Sequence, residues 1–316
     1  MSSSPSRRDS NVAPANKNID RAIQQYLNEN KLRAGSFVVT LFGDVISQHG
    51  NCVWLGSIIN CLEGFGLNAR QVRTAVGRLV QENWLESRQV GRKSYYSFTQ
   101  NGQRQFMRAA RRIYARKLPD WDGNWTLVLI TQSAPLLRDR LRRELGWLGF
   151  GQLNGNSFAH PSADKAALSE LLSELGIENN LLVMRAATDT LTSEEIVKDT
   201  VYRSWTLEEM KPRYVQFCQI FGGTLQELQN ASKDNSWQMF RLRLLLIHEY
   251  RRMLLKTTEL PDELLPSQWL GSKALGIASA LYAATGESSL RYIEESFQSI
   301  NGGVSSVEHS FHQRFA

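Results

Sequence analysis

The residues of this chain best suited to chemistry are cations and hydrogen-bond donors collected on one side of a short segment, ARQVRTAVGRLVQEN. At about 100° per residue, Arg70, Arg73, Thr74, Gly77 and Gln81 fall within about 100° of one another, with Arg78 on the shoulder. Val72, Ala75, Val76, Leu79 and Val80 make the opposite, apolar stripe. Gly77 lowers helix propensity by ~1 kcal/mol relative to Ala, which a close backbone approach to something large would justify. Directly after it, WLESRQVGRKSYYSF reads as a β-hairpin. Its strands are 84–87 and 94–98, and the tip, 88–93, holds Arg88, Arg92 and Lys93. A solvated helix face would explain the helix alone. Two adjacent cationic elements point instead to a polyanion, with the helix in a major groove and the hairpin on neighbouring phosphates or the minor groove.

The elements that must position these residues are readable upstream. Ser36 is expected to cap a helix carrying Val39, Phe42, Val45 and Ile46 and ending near Gly50. A second helix from about Trp54 carries Leu55, Ile58, Ile59 and Leu62, and Asn68 opens the third. Three helices and a hairpin make a winged helix-turn-helix. A basic helix over 99–117, with Phe106, Ala109, Ala110, Ile113 and Tyr114 as its apolar stripe, is expected as a connector whose RAARR run is either a solvated outer face or a phosphate contact.

Charge distribution agrees with this reading. The 316 residues carry 37 Lys+Arg against 31 Asp+Glu, a net charge of +6. Residues 1–120 hold 18 cations and 8 anions, and the remainder 19 and 23. The basic excess is therefore entirely N-terminal, as a nucleic-acid partner would require. Catalytic signatures do not emerge: there is no HExxH, GxSxG or phosphate-loop pattern, and the five histidines are scattered. His309 and His312 are three apart, a spacing ascribed to chance. Cys52, Cys61 and Cys218 lack CxxC spacing, so neither a disulfide framework nor a metal site is expected. Without an apolar leader or a span of ~20 apolar residues, a cytoplasmic protein with no membrane association is expected.

In the middle of the chain, WTLVLIT suits a buried strand, followed by a helix over 134–145, strands at 149–153 and 157–160, a helix over 163–175 and a strand at 181–185. This βαββαβ order is the ferredoxin-like pattern. Beyond Ser193, helices are expected over 194 onward, 206–221, 223–230, 236–256, 269–285 and 286–298. The resulting partition is a disordered tail (1–18), a winged-helix domain (19–98), a helical connector (99–120), a ferredoxin-like domain (121–192), a helical C-terminal domain (193–300) and a tail (301–316).

These strings resemble the PaaX family, repressors of phenylacetate-degradation operons. The likeness runs from LFGDVISQHG to SYYSFTQNG and resumes at WDGNWTLVLI, WLGFGQL and LLLIHEYRRMLLKTTELPDELLPSQWLG. The sequence departs where members often carry Asp-Pro, reading Lys256-Thr257-Thr258-Glu259. The resemblance implies an α+β multidomain protein with an N-terminal winged helix, a Cas2-like ferredoxin-like centre and a mainly helical C-terminal domain. It also implies a homodimer on a palindromic double-stranded operator, released by phenylacetyl-CoA or a related aryl-CoA, with no cofactor and no enzymatic activity. A pocket for such a thioester needs cations, a stacking surface and an apolar end, and Arg241, His248, Arg251, Arg252 and Trp269 have that chemistry. Packing at a domain interface is the plainer account of the histidine. A Cas2-type nucleic-acid-processing enzyme carrying a DNA-targeting winged helix is the alternative, which the absence of any carboxylate at 124–135 disfavours. A protein-interaction role for the winged helix is a third reading.

Overall fold

The computed structural model describes residues 14–115, 120–131, 135–177, 180–255, 260–308, 311 and 313–315. These form two compact units that do not follow the linear order of the chain. One takes the described residues within 1–116, 216–251 and 273–316, and the other those within 117–215 and 252–272. The helical C-terminal part thus contributes to both.

The first unit begins with α1 (Pro14–Glu29) and α2 (Ala34–Asp44). After a 3-10 turn come β1 (Val53–Trp54), α3 (Leu55–Glu63), α4 (Ala69–Gln81), β2 (Leu85–Val90), β3 (Lys93–Phe98) and α5 (Gln100–Ile113). The three strands form an antiparallel sheet in the order β1-β3-β2, the connectivity of a winged helix. Phe42, Val45, Ile46, Ile58, Ile59, Leu62, Val72, Val76 and Leu79 bury the apolar faces expected from their spacing, and Phe37, Leu85 and Phe98 join them. Helix α5 closes against α2 at Gly43, where any Cβ would collide with the Phe106 ring. Phe106 and Ile113 are buried accordingly.

Several expectations need correction. Residues 14–18 are not tail but the start of α1: the side chain of Asn16 is buried and hydrogen-bonds Ser232 O (2.8 Å) and Gln238 Oε1 (2.6 Å). Its polarity made it look like linker, yet its polar groups are satisfied inside the protein. Ser36 does not cap α2, because the helix starts two residues earlier with Arg33 at the cap position. The hairpin tip is only Gly91 and Arg92, Gly91 adopting φ +60°, so Arg88 and Lys93 lie in paired strands.

The second unit has β4 (Asn124–Ile130), α6 (Pro135–Trp147), β5 (Gly151–Asn154), β6 (Ser157–His160), α7 (Lys165–Leu175) and β7 (Leu181–Ala187). Its sheet is antiparallel in the order β5-β6-β4-β7, the ferredoxin-like arrangement expected. Val128, Phe158, Leu141, Leu145, Leu168 and Leu172 form the core between sheet and helices. Helix α8 (Glu194–Ser204) is capped by Ser193, as its sequence predicted. Trp205 at its end covers Gly151 and donates from Nε1 to Gly149 O at 2.9 Å.

The remaining elements are α9 (Leu207–Leu228), α10 (Ser236–Leu254), α11 (Gly271–Ser296) and a small hairpin, β8 (Gln298–Ser299) with β9 (Gly302–Gly303). Each of α9 and α11 is one helix where two were expected. Gly222-Gly223 and Gly286 stay helical within long helices whose apolar faces are buried, and that packing outweighs the propensity cost of each glycine. The stretch expected to be a tail after 300 contains buried Phe311 and packed Arg314. Residues 1–13, 256–259, His309 and His312 lie outside the described residues. Among those described, no helix is long and apolar enough to cross a membrane and no cluster of His, Cys, Asp and Glu suits a metal.

Candidate nucleic-acid interface

Helix α4 has a fixed start. Asn68 Oδ1 accepts from Gln71 N (3.0 Å), and Gln71 Oε1 accepts from Asn68 N (2.9 Å), a reciprocal capping box. The helix buries Val72, Ala75, Val76 and Leu79, which orients the other face outward. Arg70, Arg73, Thr74, Gly77, Arg78 and Gln81 are all exposed. Arg78 pairs with Glu82 (2.7 Å), whereas Arg70 and Arg73 have no ion pair among the described residues. A Cβ on Gly77 would meet nothing within 4 Å, so internal packing gives no reason for a glycine there.

The hairpin stands beside this helix. Register pairs Arg88 with Tyr95 and Val90 with Lys93, and Arg88, Arg92 and Lys93 are exposed. Lys93 is anchored: its Nζ lies 3.1 Å from Gln298 Oε1 and 4.5 Å from the centre of the Trp54 ring. Arg88 and Arg92 have no carboxylate partner among the described residues. The nine residues assigned from sequence are therefore outward-facing on two neighbouring elements of one unit.

What holds the scaffold in place was not visible in the sequence. Asp44, the last residue of α2, is almost fully buried. Its Oδ1 accepts from Tyr114 Oη (2.7 Å), Tyr282 Oη (3.0 Å) and Arg314 Nη1 (3.0 Å), and its Oδ2 from Arg243 Nε (3.1 Å). Burial alone would raise the carboxyl pKa, but the Arg243 and Arg314 charges and the two tyrosine hydroxyls outweigh it and hold it below 3.8. Arg314 also donates to Asp44 O (2.8 Å) and Gly43 O (3.1 Å), sealing the end of α2. Both guanidiniums also lie over aromatic faces: Arg243 lies 4.3 Å from the Tyr282 ring centre and Arg314 4.1 Å from that of Tyr114. Burial lifts the Tyr282 hydroxyl to about 12, so it remains a donor at neutral pH.

The five residues considered for an aryl-CoA divide between the two units, three in the first and two in the second. Arg241 is mostly buried, lies 3.8 Å from Asp20, and stacks over Trp237 and Phe65. His248 is 1% exposed, with Nδ1 2.9 Å from Thr40 Oγ1 and its ring 4.8 Å from that of Phe37. Arg251 donates to Thr40 Oγ1 (3.1 Å) and Ser36 O (3.3 Å). These three brace the winged helix from within the first unit. Arg252 and Trp269 belong to the second, where Trp269 packs on Tyr214 at 4.8 Å beside the Val201, Leu207, Leu264 cluster. Helical period put all five on plausible faces, but it could not reveal which neighbours already occupy them.

In the second unit, Asp122 precedes β4 and pairs with Arg185 at 2.7 Å.

Comparison with known proteins matches three family models in succession: PaaX-like protein over residues 33–102, PaaX protein central Cas2-like domain over 118–197, and PaaX-like protein C-terminal domain over 205–295. The transcriptional repressor PaaX of Escherichia coli (strain K12) is 34% identical over 298 residues, spanning 94% of each chain. Among solved structures, the uncharacterized protein Rv0674 from Mycobacterium tuberculosis superposes with a TM-score of 0.46 at 18% identity, over 74% of this chain and 88% of that one.

Proposed function

The chain belongs to the PaaX family, and we propose that it is a homodimeric transcriptional repressor of a phenylacetate-degradation operon, seated on a palindromic operator and released by phenylacetyl-CoA or a related aryl-CoA thioester. Likeness to a named repressor over nearly the whole chain supports the regulatory role. The observation that carries DNA binding is the outward row on α4 beside a hairpin whose exposed cations lack carboxylate partners among the described residues. In a dimer, two copies of α4 enter successive major grooves about 34 Å apart. Arg70, Arg73 and Thr74 then reach base edges, Gly77 and Gln81 lie closest to the groove floor, and Arg78, Arg88, Arg92 and Lys93 contact phosphates.

Release requires only modest coupling. A thioester that binds the DNA-incompetent form better by ~1–3 kcal/mol lowers operator affinity about 5- to 150-fold. The test is a gel shift on the DNA upstream of this chain's own gene. Retardation should be reversed by phenylacetyl-CoA and unaffected by free phenylacetate. No retardation at low salt, where phosphate contacts are strongest, would refute DNA binding. Retardation insensitive to aryl-CoA thioesters would refute the effector alone.

A further inference from the structure

Between α4 and the start of α2 lies a groove of about 750 Å³. Its walls carry Arg33, Arg70, Arg78 and Arg251 against one carboxylate, Glu82, over a floor of Val39, Leu79 and Trp84. Glu82 is engaged by Arg78, and Arg251 by Ser36 and Thr40. Arg33 and Arg70 have no ion pair among the described residues, so the groove keeps a net positive charge. At its rim, α2 begins with no side-chain cap and no acidic residue in its first turn. Among the described residues the amides of that turn therefore have no side-chain acceptor, and Gly35 presents open space where a Cβ would stand.

The placement follows from helical geometry. Arg70, Thr74 and Arg78, spaced four apart, form the α4 wall of the groove, while Arg73 and Gly77 are turned away from it. A helix about 10–12 Å across, set in a major groove of about 12 Å, has a sugar-phosphate strand along each flank. The strand on the Arg78 side then runs over this groove, with Arg70 and Thr74 at the edge between that flank and the base edges.

We propose that the groove seats a backbone phosphodiester of the bound duplex, with Arg33 and the first-turn amides of α2 as donors additional to those on α4 and the hairpin. The inference rests on the DNA-binding reading. It adds a contact that fixes the register of the duplex without reading its sequence.

Fluorescence anisotropy with a labelled random-sequence duplex of about three helical turns, titrated across KCl concentrations, isolates the contact. For Arg33→Ala, the slope of log affinity against log salt should fall by about 0.9, equivalent to about eightfold weaker binding at 0.1 M salt. Arg33→Lys should restore most of the slope. Gly35→Glu places an anion where it favours the helix dipole and repels phosphate, so binding should weaken while the melting temperature holds or rises. Should Arg33→Ala fail to fold, Gly35→Glu carries the test. Wild-type slope and affinity in the folded variants, with Arg73→Ala still impaired on the upstream DNA, would overturn the seat and leave the repressor reading intact. No duplex binding by the wild-type chain would overturn both.

Discussion

Helices α4 and α10 both carry arginines, and they use them in opposite ways. On α4, Arg70 and Arg73 stand in solvent with no ion pair among the described residues, and the helix contributes only its apolar stripe to the fold. On α10, Arg241 and Arg243 are turned inward, Arg243 to 1% exposure, where each has an aspartate and aromatic rings around it. A guanidinium that keeps its hydration is available to a partner; one that has lost it is committed to the protein's own charges. Residue type is the same in both helices. Their surroundings decide which is interface and which is scaffold.

Three substitutions would break or sharpen this contrast. Asp44→Ala leaves two buried guanidiniums without their carboxylate and should cost about 3–5 kcal/mol in urea unfolding. A loss under about 1 kcal/mol would mean the cluster behaves as a surface pair. The same carboxyl sets a pH dependence. Its folded pKa is depressed below 3.8, so its stabilisation is complete above that value and is lost as pH falls from there toward the folded pKa. Unfolding followed from pH 6 to 3 should show that decline in the wild type and a shallower one in Asp44→Ala.

Arg73→Ala should do the reverse: about 1–3 kcal/mol weaker binding to the upstream DNA, with stability within about 0.5 kcal/mol of wild type. Unchanged affinity would remove Arg73 from the base-reading set. Smallest is Gly77→Ala, which should raise stability by up to about 1 kcal/mol, since the added methyl has open space and better helix propensity. If the backbone there approaches DNA closely, affinity in the same anisotropy assay should fall despite the gain, and equal or tighter binding would show that the glycine serves no contact.

The sequence made α4 legible because its evidence is local: a cap at Asn68 and Gln71, a stripe from Val72 to Leu79, and cations opposite it. The hairpin was legible for the same reason, although its tip was drawn too wide, because pairing continues until Gly91 forces the turn. The ferredoxin-like strands announced themselves as short apolar runs. The Asp44 cluster had no such signal. Its members are separated by 199 and 270 residues, and an isolated Asp, Arg or Tyr reads as surface until its partners are known. Asn16 misleads for the same reason, and Arg241, His248 and Arg251 look available to a ligand because their contacts with α1, α2 and Phe65 leave no trace in helical period. The start of α2 was missed because it lacks the side-chain cap by which helix starts are recognised.

Arg314 closing over Asp44 also constrains when the protein can finish folding. During translation the carboxylate at 44 leaves the ribosome 270 residues ahead of that guanidinium. At about 5–20 residues per second the interval is roughly 15–50 s. Tyr114 and Arg243 are made earlier, so Arg314 is the last member to arrive, and the cluster that seals the end of α2 is complete only when residue 314 has been added.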